Sequence, residues 1–119
     1  MKQILNLTQH QATPEQIGAG VFEPSEKDKK EIQKLLTFDE IPVEMASRAY
    51  LLKEIVKTYG VHNVMIGGAP YFMSTLERYL KNEHITPMYA FSSRESVEVH
   101  TPNGVEKKSV FKHLGFVKL

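Results

Sequence analysis

Residues 64–73, VMIGGAPYFM, decide how the chain is to be folded. A hydrophobic run stops at Gly67 and Gly68, and Pro70 then opens a segment in which Ala69, Phe72, Met73, Leu76 and Leu80 recur at helical spacing. Strand, corner and helix in that order are half of a crossover unit, and crossover units build parallel sheets. The glycine pair itself has two readings. It is a tight strand-to-helix corner that exploits glycine's backbone freedom, or it lets a ligand reach amide donors at a helix start. Pro70 cannot donate, so the donors would be Gly67, Gly68 and Ala69. The helix field contributes only about 0.3–1 kcal/mol and makes no site alone. Neither the Gly-Lys-Ser phosphate loop nor the spaced three-glycine dinucleotide fingerprint is present. Both readings stand open at this point.

Working outward, Ile4, Leu5 and Leu7 make a short buried-strand pattern. Thr13, Pro14 and Gln16 then carry a capping-box signature, and Gly18 and Gly20 keep that helix brief. GVFEP is a minor strand ending at Pro24, and Ser25 is an N-cap with Asp28 at the third helical position. Ile32, Leu35 and Leu36 form the apolar stripe of that charged helix. The next helix is predicted to open at Pro42, with Met45, Ala49, Leu52, Val56 and Tyr59 on one face and Gly60 as its stop. A strand over 61–66 leads into the glycine corner. TPMYAFS is a further strand that begins near Pro87 and gives way to a polar loop, FSSRE. The tail alternates with period two on either side of Asn103-Gly104, a hairpin signal, and Gly115 reads as a bulge in the second arm. The expectation is one α/β domain over 1–119: a mainly parallel sheet flanked by helices, with a C-terminal antiparallel hairpin at its edge.

Composition narrows the function classes. Charged residues make up 24% and apolar residues 41%, the range of soluble globular domains. Fifteen basic residues against fourteen acidic leave a formal charge of +1, too little for a protein that binds duplex nucleic acid. Cysteine is absent, which excludes disulfides and thiolate metal sites and points to the cytoplasm. The opening QILNLTQHQ is interrupted too soon for a signal peptide, and no run has the length of a membrane span. No histidine pair has zinc spacing, so no metal and no cofactor are expected.

Ligands of open parallel sheets bind beyond the carboxyl ends of the strands. Three polar clusters fall there: Thr8, Gln9 and His10 after the first strand, Gly67 and Gly68 after the next, and Ser92, Ser93 and Arg94 after the third. Two hydroxyls and a guanidinium form a plausible phosphate clamp; the alternative is a serine-rich turn with Arg94 paired to a surface carboxylate. His10 is able to bind or move a proton near neutral pH, or is simply a loop histidine. Lys107 and Lys108 face opposite ways on a strand, so only one can join the rim. His62 and His84 lie at the wrong ends of their strands, and His100 is an outward hairpin residue. His113 depends on a register that the sequence leaves open. Tyr50, Tyr59, Tyr71 and Tyr79 are interface or half-buried residues.

LTQHQATPEQ, GGAPYFM, PMYAFSSRESVE and GVEKKSVFKHLGFVKL together resemble the small stand-alone CRISPR-associated Rossmann-fold (CARF-like) proteins, ring nucleases and phage or mobile-element relatives included. The resemblance implies a Rossmann-like homodimer whose rims form one groove for a cyclic oligoadenylate or another phosphate-bearing ligand. It implies metal-independent phosphodiester cleavage by a ribose 2′-hydroxyl, with Arg94 supplying charge and Ser93 positioning. Gly67, Gly68 and Ser92 would bind phosphate, with Thr8, His10, Lys108 and His113 as further candidates. The rival expectation is a non-enzymatic protein-interaction module whose glycines serve only the fold.

Overall fold

The computed structural model describes residues 3–119, the side chains of Arg94, Glu95 and Phe111 excepted. Its elements are β1 (Ile4–Leu7), α1 (Pro14–Gly18), β2 (Val21–Phe22), α2 (Glu26–Leu36), α3 (Met45–Thr58), β3 (Asn63–Ile66), α4 (Pro70–Asn82), β4 (Thr86–Thr101) and β5 (Gly104–Lys118). The strands form a sheet in the order β2-β1-β3-β4-β5. The first four run parallel, and β5 returns antiparallel along β4. The expected mixed α/β architecture is present, with its mainly parallel sheet and its antiparallel edge.

Local chemistry starts the helices where the sequence predicts. Thr13 and Gln16 exchange the reciprocal bonds of a capping box at α1. The Ser25 side chain accepts from the Asp28 N–H at α2. The helix α3, however, begins at Met45 behind the N-cap Glu44, not at Pro42. Pro42 belongs instead to the 37–44 loop, which must first turn the chain from the end of α2. Arg48 holds that turn: its Nη1 donates to the carbonyls of Lys34, Leu35 and Thr37 at 3.4, 3.0 and 2.7 Å. The guanidinium also stacks over the Phe38 ring at 4.5 Å.

Two unequal layers cover the sheet. Leu5, Leu7, Val64 and Ile66 face a large core with the stripes of α2, α3 and α4. Phe72, Leu76 and Leu80 of α4 and Leu52 and Val56 of α3 are fully buried there. The opposite face carries a small cluster of Ile4, Val21, Met65 and Met88, closed by Ala12 and Phe116. Because α1 is only five residues long, β5 must help cover this face. The Glu15 carboxylate fixes that contact by accepting the His113 backbone N–H at 3.0 Å. At the far end of α3, Lys53 bridges Glu54 and Glu83 at 3.2 and 3.4 Å and so ties α3 to the end of α4.

The tail departs most from expectation. Ser92, Ser93 and Arg94 are not in a loop: β4 continues without interruption to Thr101, and Ser92 pairs with His113. The parallel β3–β4 pairing covers only Asn63–Met65 against Thr86–Met88, so beyond Ala90 the two last strands form a free two-stranded arm. Pro102 and Asn103 occupy its tip, one position earlier than the expected Asn103-Gly104 turn. The expected bulge is present: Phe91 pairs with Gly115 and Ser92 with His113, leaving Leu114 as the extra residue. The radius of gyration is 16.7 Å, against roughly 13.5 Å for a compact chain of this length. The arm accounts for the excess.

The two corner glycines separate cleanly. Gly68 sits at φ +154°, and a Cβ there would lie 3.3 Å from the Met73 Cε, so the corner demands glycine. Gly67 has an ordinary φ, and a Cβ would meet only Thr8 Cγ2, at 3.7 Å. In urea unfolding, Gly68→Ala should lose roughly 1–3 kcal/mol. Gly67→Ala should be neutral or stabilising by up to about 1 kcal/mol.

Candidate functional site

The chain steps from β1 outward to β2 and then back across to β3, which makes the gap between β1 and β3 the switch point of the sheet. A cavity of about 370 Å³ opens there, at the carboxyl ends of the strands. That is near the lower end of the roughly 300–1,000 Å³ of small-molecule sites. Its walls are the β1–α1 loop (Thr8, Gln9, His10, Gln11), the start of α1 (Thr13, Gln16), the end of β3 with Gly67 and Gly68, and Tyr89 and Ala90 of β4.

One buried side chain shapes the β1–α1 wall. Asn6 is 2% exposed within an otherwise apolar strand. Its Nδ2 donates to the His10 carbonyl at 2.8 Å and to the Glu23 carboxylate at 2.6 Å. Its Oδ1 accepts from the Thr8 N–H at 3.1 Å and lies 2.7 Å from the Thr8 hydroxyl. Glu23 also accepts the Ala12 N–H and pairs with Lys29 at 3.1 Å. Burial opposes ionisation of Glu23, yet the bonds from Asn6, Lys29 and Ala12 together hold its pKa below the ordinary carboxylate value. Gln9 closes the ring of contacts by donating to Thr37 Oγ1 at 2.8 Å, joining this loop to the end of α2.

These contacts change what each residue can offer. The Thr8 hydroxyl sits between Asn6 Oδ1, the His10 carbonyl at 3.0 Å and the His10 N–H, so it serves the loop first. His10 has its backbone anchored and its exposed side chain on the cavity wall. Tyr89 donates to Glu77 at 2.9 Å. Burial, that bond and the Glu77 charge all push its pKa up, so it stays a neutral phenol. Ala69 caps α4 without any side-chain hydrogen bond, leaving the helix start to backbone amides.

Thr8, His10, Gly67 and Gly68 are therefore brought together around one cavity. Ser92 and Ser93 lie on the arm, two and three residues past Ala90, or roughly 7–10 Å beyond the rim. The Arg94 side chain is outside the described residues. Lys108 pairs with Val97, roughly 23 Å past the rim, too far to share a ligand with the glycines. His113 lies at the arm's base against Phe116, with rings 4.9 Å apart, and its buried Nδ1 has no partner among the described residues. The sequence reading placed Gln9 at this rim but missed Asn6, Glu23, Gln11 and the place of Gln16 on the cavity wall. A polar residue inside ILNL was the available signal for Asn6.

Chemically, the cavity lining holds amides, hydroxyls and one imidazole, and among the described residues no lysine, arginine or carboxylate. The neighbouring hollow of about 210 Å³ is walled by Asp39, Glu40 and Glu44, and its Arg48 is engaged at the end of α2. Among the described residues no group of three or more metal-ligating side chains occurs, and no helix is long and apolar enough to cross a membrane. Fold and site define a mainly parallel α/β protein with an open crevice at its switch point, uncharged among the described residues. The chain belongs to the family described as the uncharacterized protein MJ1673 family, whose model matches residues 2–117. No curated protein and no solved structure matches it.

The Asn6–Glu23 contact yields a pH dependence. The folded pKa of Glu23 lies below its ordinary 4.5, so ionised Glu23 stabilises the fold above that value. The contribution disappears as pH falls through the folded pKa. Urea midpoints at neutral and acid pH should fall less steeply on acidification for Glu23→Gln than for wild type. Asn6→Leu should lose roughly 1–3 kcal/mol at neutral pH by stranding its buried partners.

Proposed function

We propose that the switch-point crevice is a binding site for a small polar ligand with a single anionic group, of the size of a nucleoside monophosphate. One observation carries this reading. Gly67 borders the cavity, yet neither its backbone conformation nor the crowding around it requires glycine. A position that the fold leaves free to carry a side chain, and that carries none, suits close approach of a ligand to the backbone. The amides of Gly68 and Ala69, ahead of the uncapped α4, are the donors for the anion. Gln9, Gln11, Gln16 and His10 suit the edges of an uncharged heterocycle.

The lining, uncharged among the described residues, favours one anionic group over a polyphosphate, because each phosphate taken from water without a cation costs solvation that amides replace only in part. The parallel order β2-β1-β3-β4, with helices on both faces, supports a Rossmann-like reading of the fold. Binding, with no catalytic step, is the function this chemistry supports best. A cyclic oligoadenylate, the ligand implied by the resemblance, belongs in the assay as a competing candidate.

Titration calorimetry with AMP, ADP, inorganic phosphate and cyclic tetra-adenylate tests the reading. AMP should bind more tightly than phosphate, and Gly67→Val should abolish binding while leaving the free energy of urea unfolding within about 1 kcal/mol of wild type. Absence of heat with every ligand, or AMP affinity unchanged in Gly67→Val, would overturn it.

A further inference from the structure

Gly68 and Tyr89 each border two cavities. One is the switch-point crevice; the other is a second hollow of about 370 Å³, walled further by Pro70, Met73, Ser74 and Glu77. Ser74 and Glu77 are three residues apart on α4, so they share a face of that helix. Met73 gives the hollow an apolar wall, and a Cβ on Gly68 would lie 3.3 Å from its methyl carbon. The bare backbone of Gly68 thus stands where the two cavities meet.

The cavities differ in chemistry. The crevice is uncharged among the described residues, whereas the second hollow is rich in acceptors. Glu77 Oε2 accepts from the Tyr89 hydroxyl at 2.9 Å, and among the described residues Glu77 Oε1 has no partner. With its proton spent on Glu77, the Tyr89 oxygen is left as an acceptor, and the Ser74 hydroxyl is able to give or take. A carboxylate in this place repels a second anionic group and favours hydrogen-bond donors. A phosphate monoester carries about −1.5 to −2 charge at pH 7, and Glu77 raises the cost of everything beyond the first charge. A diester has one negative charge and two substituents. Two cavities joined at a single anion-binding backbone fit that shape.

We propose that the second hollow is a subsite for the alcohol portion of a phosphodiester, held through its hydroxyl or amino donors by Glu77 and Ser74. This rests on the reading of the crevice as an anion site and narrows its ligand to a nucleoside 5′-phosphodiester.

Titration calorimetry at pH 7 with AMP and with its methyl, glyceryl and aminoethyl esters tests this. The methyl ester has the diester charge but places no donor in the second hollow. Wild type should bind the glyceryl or the aminoethyl ester roughly ten-fold more tightly than the methyl ester. The larger of the two gains tells hydroxyl from ammonium. In Glu77→Ala that preference should fall to roughly two-fold or less. Glu77→Gln, which keeps an acceptor for Tyr89, should lower the aminoethyl preference more than the glyceryl one. Each preference is a ratio within one protein, so a disturbance of Tyr89 or of the fold cancels. Donor-bearing esters that bind no more tightly than the methyl ester overturn the subsite, as does a preference that survives Glu77→Ala. AMP binding in either case keeps the crevice reading intact, whereas silence with all four ligands overturns both.

Discussion

The carboxyl rim depends on one amide that an apolar strand would be expected to exclude. Asn6 is buried in β1, and every polar atom of its side chain is engaged: two donors toward His10 and Glu23, one acceptor facing Thr8. A buried amide costs free energy unless it is fully bonded. Here that requirement fixes the path of the chain, because the partners come from the loop after β1 and from the residue following β2. The loop cannot move without stranding Asn6, and Glu23 cannot leave without exposing an amide to an apolar core. The crevice wall is thus preorganised by the same contact that closes the strand pair β1–β2.

That rigidity contrasts with the glycine corner across the opening. Gly68 answers a steric and conformational demand of the turn, whereas Gly67 answers neither. Two adjacent residues of one type therefore have different causes. The first lines the opening; the second lets α4 start directly after β3, with Phe72 and Leu76 set into the core. Among the described residues the lining carries no charged side chain, which separates this crevice from phosphate sites that rely on lysine or arginine.

Much of the fold was legible in the sequence because its signals were local. Thr13 with Gln16, Ser25 with Asp28, and Pro70 before a 3.6-period stripe each define a helix start within four residues. Gly115 marked the bulge for the same reason. What was not legible depended on distant partners. Ser92, Ser93 and Arg94 read as a loop because hydroxyls and charges dominate that stretch, yet pairing with Phe111, Lys112 and His113 keeps it in β4. Pro42 resembled a helix start, but Arg48, anchored on the carbonyls at the end of α2, sets the actual one. The site was half legible: two of the three clusters meet, and the third is carried away by an unbroken strand. Glu23 lies seventeen residues from Asn6, so no periodic pattern could connect them.

The brevity of α1 has a consequence for how the chain can be shortened. Phe116 at the root of the ribbon seals Met65 and Met88, which a longer first helix would otherwise shield. The outer ribbon and its root therefore belong to different parts of the molecule, one an appendage and the other a plug. A trimmed chain that rejoins Ser92 to His113 through a new tight turn would keep the plug and shed the appendage. Cutting the chain after Ala90 would instead wet the smaller of the two cores.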